Sequence, residues 1–269
     1  MKLFFTKKKW AEYRESLTGP LGFVPTMGAL HAGHLKLVEE ARKNNEFVAV
    51  SIFVNPKQFN KTEDLVNYPQ TLEQDLLILA KAEVDAVFLP TSREVYPEND
   101  TFISAIPGKA AEELEGAFRP GHFEGVVNVV DRLFHWIQPH KAYFGQKDLQ
   151  QCMVIQEFAS EKYPDLEIVT VPTEREKSGL AMSSRNLRLS AIGRERASTI
   201  FEVMNRLKDF PSEYNSAQER LAEKGIEIEY LTSIDVALKT ELGIMNKAWV
   251  FAGYLEGIRL IDNVLYTDR

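Results

Sequence analysis

At 269 residues, 44% of them hydrophobic, the chain has the length of one large domain or two moderate ones and enough apolar side chains for a real core. Its 39 acidic and 32 basic side chains leave a net charge of -7, the wrong sign for a protein that tracks a nucleic-acid backbone. The single cysteine, Cys152, excludes an intrachain disulfide and any multi-thiolate metal site. Lys7, Lys8 and Lys9 interrupt the amino-terminal phenylalanines, and no apolar run approaches the roughly 20 residues of a bilayer span. The expectation is a cytoplasmic chain with no membrane association.

Taken in chain order, Leu21 to Pro25, Phe47 to Val54, Ala86 to Pro90, Lys141 to Gly145 and Glu167 to Val171 are short, rich in β-branched or aromatic residues, and read as strands. Phe47 to Val54 does not alternate in polarity, which predicts burial on both faces, as in a parallel sheet. Between the strands, Leu35, Val38 and Ala41, and later Val126, Val130, Leu133, Phe134 and Ile137, recur at helical spacing. Thr71-Leu72-Glu73-Gln74 has the form of a capping box and predicts a helix through about Ala82. Alternating strands and helices of this kind bind ligands at the carboxyl ends of the strands. That singles out the loops after Pro25, Val54, Pro90, Gly145 and Val171.

After Pro172 the pattern changes. A charged stretch, Thr173 to Arg188, precedes a helical segment from about Ala191 to Lys208, and Ser216-Ala217-Gln218-Glu219 offers a second capping box. Ile226, Ile228 and Tyr230 alternate with glutamates, and Ala248 to Leu255 and Arg259 to Tyr266 flank Glu256-Gly257 as a closing hairpin. The predicted fold is α/β, with a Rossmann-like parallel-sheet domain over 1–172 followed by a smaller α+β domain over 173–269.

Several polar clusters fall at the strand ends. Met27-Gly28-Ala29-Leu30-His31-Ala32-Gly33-His34 follows the first strand and enters a helix. Two histidines three apart share a helix face, and the glycines and free amides of a helix start suit polyphosphate. Taken alone, His-x-Gly-His is more simply two surface histidines around a tight turn. Gly145-Gln146-Lys147-Asp148 offers an ammonium beside a carboxylate, or else a solvated helix start. Met182-Ser183-Ser184-Arg185 offers hydroxyls and a guanidinium, or else a hydrophilic loop. The segment from Thr173 to Arg188 has little apolar surface, which predicts a lid that is mobile until nucleotide orders it.

The combination is more specific than its parts. Phe23 to His34, Asn55-Pro56-Lys57-Gln58-Phe59, Arg119-Pro120-Gly121-His122-Phe123-Glu124-Gly125, Phe144 to Asp148, Leu180 to Asn186 and Arg259 to Asn263 resemble, in order and spacing, the pantothenate synthetase family. His-x-Gly-His alone marks only the wider nucleotidyl-transfer superfamily. The resemblance implies an ATP-dependent ligase that joins pantoate to β-alanine through a pantoyl adenylate, releasing AMP and pyrophosphate, and it implies a homodimer using magnesium with ATP. It makes residues 1–172 the nucleotide- and pantoate-binding domain and 173–269 the lid domain. His34, His31, Lys147 and Arg185 take catalytic positions. The ATP site maps onto Pro25, Thr26, Met27, Gly28, Ala29, Leu30, His31, Ala32, Gly33, His34, Gly145, Gln146, Lys147, Asp148, Glu174, Met182, Ser183, Ser184 and Arg185. Gln58, Gln151 and Asn55 map onto the pantoate and β-alanine site, and Asp75 onto a magnesium neighbour or, on helical spacing alone, an exposed helix residue. Glu174 stands where related chains often carry valine, and His122 lies in a matched motif with no assigned role. The competing readings are another nucleotidyltransferase of the superfamily, which would not depend on β-alanine, and a nucleotide sensor without catalysis.

Overall fold

The computed structural model describes residues 1–60, 62–240 and 243–267. The chain divides into two compact units: Met1–Leu30, His34–Phe144 and Gln150–Val171 form the first, and His31–Gly33, Gly145–Leu149 and Pro172–Arg269 form the second. Two short earlier segments also belong to the second unit.

In the first unit, β1 (Lys2–Phe4), β2 (Leu21–Thr26), β3 (Phe47–Ile52), β4 (Ala86–Phe88), β5 (Lys141–Gly145) and β6 (Glu167–Val171) form a parallel sheet in the order β1-β4-β3-β2-β5-β6. The order reverses beside β2, between its neighbours β3 and β5. That is the kind of strand end where an open α/β sheet binds ligands. The helices are α1 (Lys7–Glu15), α2 (Ala32–Asn44), α3 (Leu72–Lys81), α4 (His122–Ile137) and α5 (Leu149–Lys162), with shorter turns between them.

Alternation along the strands explains the layering. Ala49 joins a core with Trp10, Phe123, Val126, Val130 and Phe134, while its neighbours Val48 and Val50 join another with Leu37, Val38, Ala41 and Leu79. β3 is therefore buried on both faces, as its apolar, non-alternating run predicts. It stops at Ile52 because the chain turns at Asn55-Pro56. Truncating a side chain as buried as Phe134, 1% exposed, would cost about 3–5 kcal/mol.

In the second unit, α6 (Ala191–Ala197), α7 (Thr199–Leu207) and α8 (Tyr214–Glu223) precede an antiparallel sheet of β7 (Glu227–Thr240), β8 (Gly243–Leu255) and β9 (Ile258–Tyr266). Glu256 and Gly257 both have positive φ, 53° and 72°, the backbone of a two-residue hairpin turn. The core gathers Ile200, Met204, Leu221, Leu231, Phe251 and Leu260.

Three local expectations fail. The helix predicted over 191–208 breaks at Ser198 into α6 and α7. Ser216 caps nothing, because α8 is already under way from Tyr214, behind a short turn at Pro211–Glu213. Thr71 does precede α3, but its hydroxyl makes no cap bond and donates instead to Asp75 Oδ1 at 3.2 Å.

Candidate active site

In the first unit, β2 ends on Thr26, whose Oγ1 donates to the Ser51 carbonyl at 2.8 Å and accepts the Gly28 amide at 3.2 Å. The chain then turns through two residues of positive φ, Gly28 at 79° and Ala29 at 51°. An alanine there is strained. What holds it is Asp75 on α3, 1% exposed, which accepts the Ala29 amide on Oδ2 at 3.0 Å and the Leu30 amide on Oδ1 at 2.8 Å. Asp75 is thus no exposed helix residue. The amides of Gly28, Ala29 and Leu30, which the sequence offers to phosphate, are already engaged within the protein.

Gln58 lies in the short turn Pro56–Gln58, capped by Asn55. Its Nε2 donates to the thioether of Met27 at 3.1 Å, its Oε1 accepts from Asn55 Nδ2 at 3.1 Å, and its carbonyl lies 2.9 Å from His122 Nδ1. Met27, Asn55 and Gln58 are therefore brought together. Pro25 lies in β2, His34 is half-buried as the third residue of α2, and Gln151 is half-buried in α5.

In the second unit, His31 stands immediately before α2, so the two histidines are not both within the helix. Its Nδ1 accepts the Gly33 amide at 3.1 Å, in the manner of an N-cap. With Nδ1 accepting, a neutral ring carries its proton on Nε2. Burial pushes the imidazole down to about 4; Lys147 adds to this and Asp148 opposes it. His31 is thus an uncharged donor at neutral pH. A side chain at Gly33 would meet the His31 ring at 2.9 Å, so the glycine makes room for that ring, and Glu174 Cβ lies on the same side.

Gly145-Gln146-Lys147-Asp148 is held from β9. Asn263 Nδ2 donates to the carbonyls of Gln146 and Lys147 at 2.9 and 3.1 Å, and its Oδ1 accepts from Gln146 Nε2 at 2.9 Å. The Lys147 ammonium lies 3.7 Å from the Asp148 carboxylate. Beyond it, Arg175 makes a two-pronged pair with Asp262, at 2.6 and 2.9 Å, and lies over the Phe201 ring at 3.8 Å. Arg175 and Ala181 form an antiparallel bridge, Leu180 and Ala181 are buried, and Asn186 donates to the Ala181 carbonyl at 2.9 Å. Ser183 caps the turn Ser184–Arg188, its Oγ accepting from the Arg185 amide. The segment from Thr173 to Arg188 is therefore stitched into its unit. Composition alone cannot show such contacts, the buried carboxylate partner of Arg175 among them.

Magnesium requires near-octahedral oxygen coordination. Both Asp75 oxygens already receive backbone amides, and among the described residues no group of three or more His, Cys, Asp or Glu side chains is gathered. Among the described residues there is thus no all-protein cage for the ion, while a site shared with substrate phosphates needs only one or two carboxylates, and Asp75 Oδ2 keeps a lone pair beside the Ala29 amide. Sequence reasoning also misses Arg175, the clamp of Asn263 and the grip of His122 on Gln58. A buried Asp-Asn pair in an otherwise alternating strand is the one local signal that could have found part of this.

The family model described as pantoate-beta-alanine ligase matches residues 3–265. Pantothenate synthetase of Bdellovibrio bacteriovorus is 45% identical over 94% of this chain and 94% of its own length. That of Cytophaga hutchinsonii is 44% identical over 91% of each chain. Among solved structures, pantothenate synthetase from Thermus thermophilus superposes with a TM-score of 0.86 at 38% identity, covering 98% of this chain and 99% of that one. The Francisella tularensis pantoate-beta-alanine ligase, complexed with beta-gamma ATP and beta-alanine, gives 0.86 at 37% identity over 98% and 97%.

Proposed function

The chain belongs to the pantoate-beta-alanine ligase family, and we propose that it performs the family's reaction with the residues described above. It is an ATP-dependent ligase that condenses pantoate with β-alanine to pantothenate. The observation that carries this reading is the match over residues 3–265, within which every motif singled out in the sequence is included.

The reaction divides into two displacements. A pantoate carboxylate oxygen attacks the α-phosphorus of ATP, the bond to the β-phosphate oxygen breaks, and pyrophosphate leaves. The amine of β-alanine then attacks the acyl carbon of the adenylate, loses a proton, and expels AMP. The first step needs donors and positive charge where the leaving phosphate becomes more negative; the second needs the mixed anhydride kept from water. Lys147 and Arg185 supply the charge. His31 supplies an uncharged Nε2–H, which stabilises developing charge without releasing a proton, and His34 is assigned to the departing pyrophosphate. Gln58 and Gln151 bind pantoate through their amides. Glu174 and Met182 to Arg185 complete the nucleotide contacts. Magnesium would enter as the counter-ion of the triphosphate, with Asp75 as the candidate carboxylate beside it. A cytoplasmic homodimer completes the proposal, and sedimentation measures its assembly.

AMP release, measured with pantoate, β-alanine or ATP omitted in turn, tests the reaction. The expected result is pantothenate only when all three are present. Sustained pyrophosphate release without β-alanine and without free AMP would favour a nucleotidyltransferase that leaves the nucleotide on its product.

A further inference from the structure

Asn55, 1% exposed, has no hydrogen-bonding capacity left for a ligand. A carboxamide has two N–H donors and two oxygen lone pairs. Nδ2 donates to Gln58 Oε1 at 3.1 Å and to the Gly125 carbonyl at 3.0 Å; Oδ1 accepts from the Lys57 amide at 3.2 Å and the Tyr96 hydroxyl at 2.8 Å. All four are used inside the protein. One consequence falls on Gln58: with a donor fixed opposite Oε1, turning its amide over would set two N–H groups against each other. Its Nε2 is thus directed to the far side, where the acceptor is the Met27 thioether, a weak one that a ligand oxygen can replace.

The main chain of Gln58 is held as firmly. A carbonyl only accepts, so His122 Nδ1, 2.9 Å away, carries the proton. His122 Nε2 is then the acceptor, and Arg119 Nη1 donates to it at 3.1 Å. Arg119 also pairs with Glu115 at 3.3 Å. His122 is buried, at 6% exposure, and α4 approaches so closely that a Cβ on Gly125 would lie 2.3 Å from the Lys57 carbonyl oxygen. Glu115, Arg119 and His122 thus form a relay of hydrogen bonds ending on Gln58.

We infer that His122 and Asn55 are positioning residues that lock the Gln58 carboxamide as a hydrogen-bond donor, so that it reads a substrate oxygen. This rests on the assignment of Gln58 to pantoate made above. The locked amide suits a hydroxyl or carboxylate oxygen. On the side away from Asn55 it offers N–H donors, so Gln58 selects for the oxygen-bearing face of either substrate.

The test uses the full chain and reads KM for pantoate and for ATP by AMP release, with urea midpoints to follow stability. Gln58→Ala and Gln58→Glu are each expected to raise the pantoate KM about tenfold or more, the loss of a good hydrogen bond. His122→Ala is expected to raise it about tenfold, with the ATP KM within about twofold of wild type. His122→Asn, which keeps a donor near the Nδ1 position, recovers most of this; His122→Gln, which keeps a group near Nε2, does not. Gln58→Glu with a normal pantoate KM overturns the lock, whether or not the His122 variants fold. Equal behaviour of the Asn and Gln variants, or an ATP KM rising in step, reduces His122 to a packing residue and overturns its role. Gln58→Ala with an unchanged pantoate KM overturns the assignment of Gln58 itself, and the lock with it.

Discussion

The Asp75 carboxylate holds Ala29 in a left-handed conformation, φ 51°, by accepting its amide at 3.0 Å and that of Leu30 at 2.8 Å. Asp75→Ala should leave one buried and one partly buried amide unpaired, at about 1–3 kcal/mol each, and release the strained turn after β2 that is assigned to nucleotide. We expect lower stability in urea and a raised KM for ATP. Raising magnesium should not restore stability. Recovery of ATP binding at high magnesium would mark Asp75 as a metal ligand as well.

The His31 imidazole, pushed down to about 4 by burial and by Lys147, gives stability a pH slope. In the unfolded chain it takes up a proton near its ordinary value of 6.5; in the folded protein it does not until about 4. Between those values the unfolded state binds more protons, so stability falls as pH falls through that window. His31→Asn keeps an acceptor for the Gly33 amide but does not titrate. Urea midpoints at pH 7 and pH 5 should therefore drop more for the wild type than for this variant, and a parallel drop would refute the assignment. The variant also lacks the Nε2–H donor and should lose on the order of 100-fold in adenylation rate.

Lys147→Ala should slow adenylation by on the order of 100- to 1000-fold, while preformed pantoyl adenylate reacts with β-alanine nearly as before, because the phosphates assigned to Lys147 in the proposed reaction have already left. Single-turnover measurement of each half-reaction decides this. Equal losses would mean that Lys147 organises the site as a whole.

Arg175 and Asp262 form a two-pronged, largely buried pair, and breaking such a pair costs about 3–5 kcal/mol. Hydrogen exchange should find residues 175–186 protected without nucleotide, and Arg175→Ala should release them ahead of global unfolding. Free exchange of this segment in the wild type would restore the mobile-lid expectation.

The strands of the first sheet were legible because each is an apolar, β-branched run between turn residues; β1, only three residues long beside a run of lysines, carries no such signature. The capping box at Thr71 marks the start of α3 correctly though its hydroxyl turns to a neighbouring carboxylate, while the one at Ser216 misled because that residue lies within a helix already begun. The motifs that carry the family resemblance were legible too. How they are held was not: Arg175 finds its carboxylate 87 positions away, and Asp75 finds its amides 45 and 46 positions back. No local pattern reports a partner at that distance.

Asn263 grips the carbonyls of Gln146 and Lys147 across separations of 117 and 116 residues. During translation, therefore, Lys147 emerges long before the side chain that fastens its backbone exists. A ribosome paused after Val171 and before Asn263 has made every strand of the parallel sheet, while the Gln146-Lys147 turn still lacks its clamp. Competence to handle ATP should thus arrive late in synthesis, when β9 pairs with β8, and not gradually as the chain lengthens.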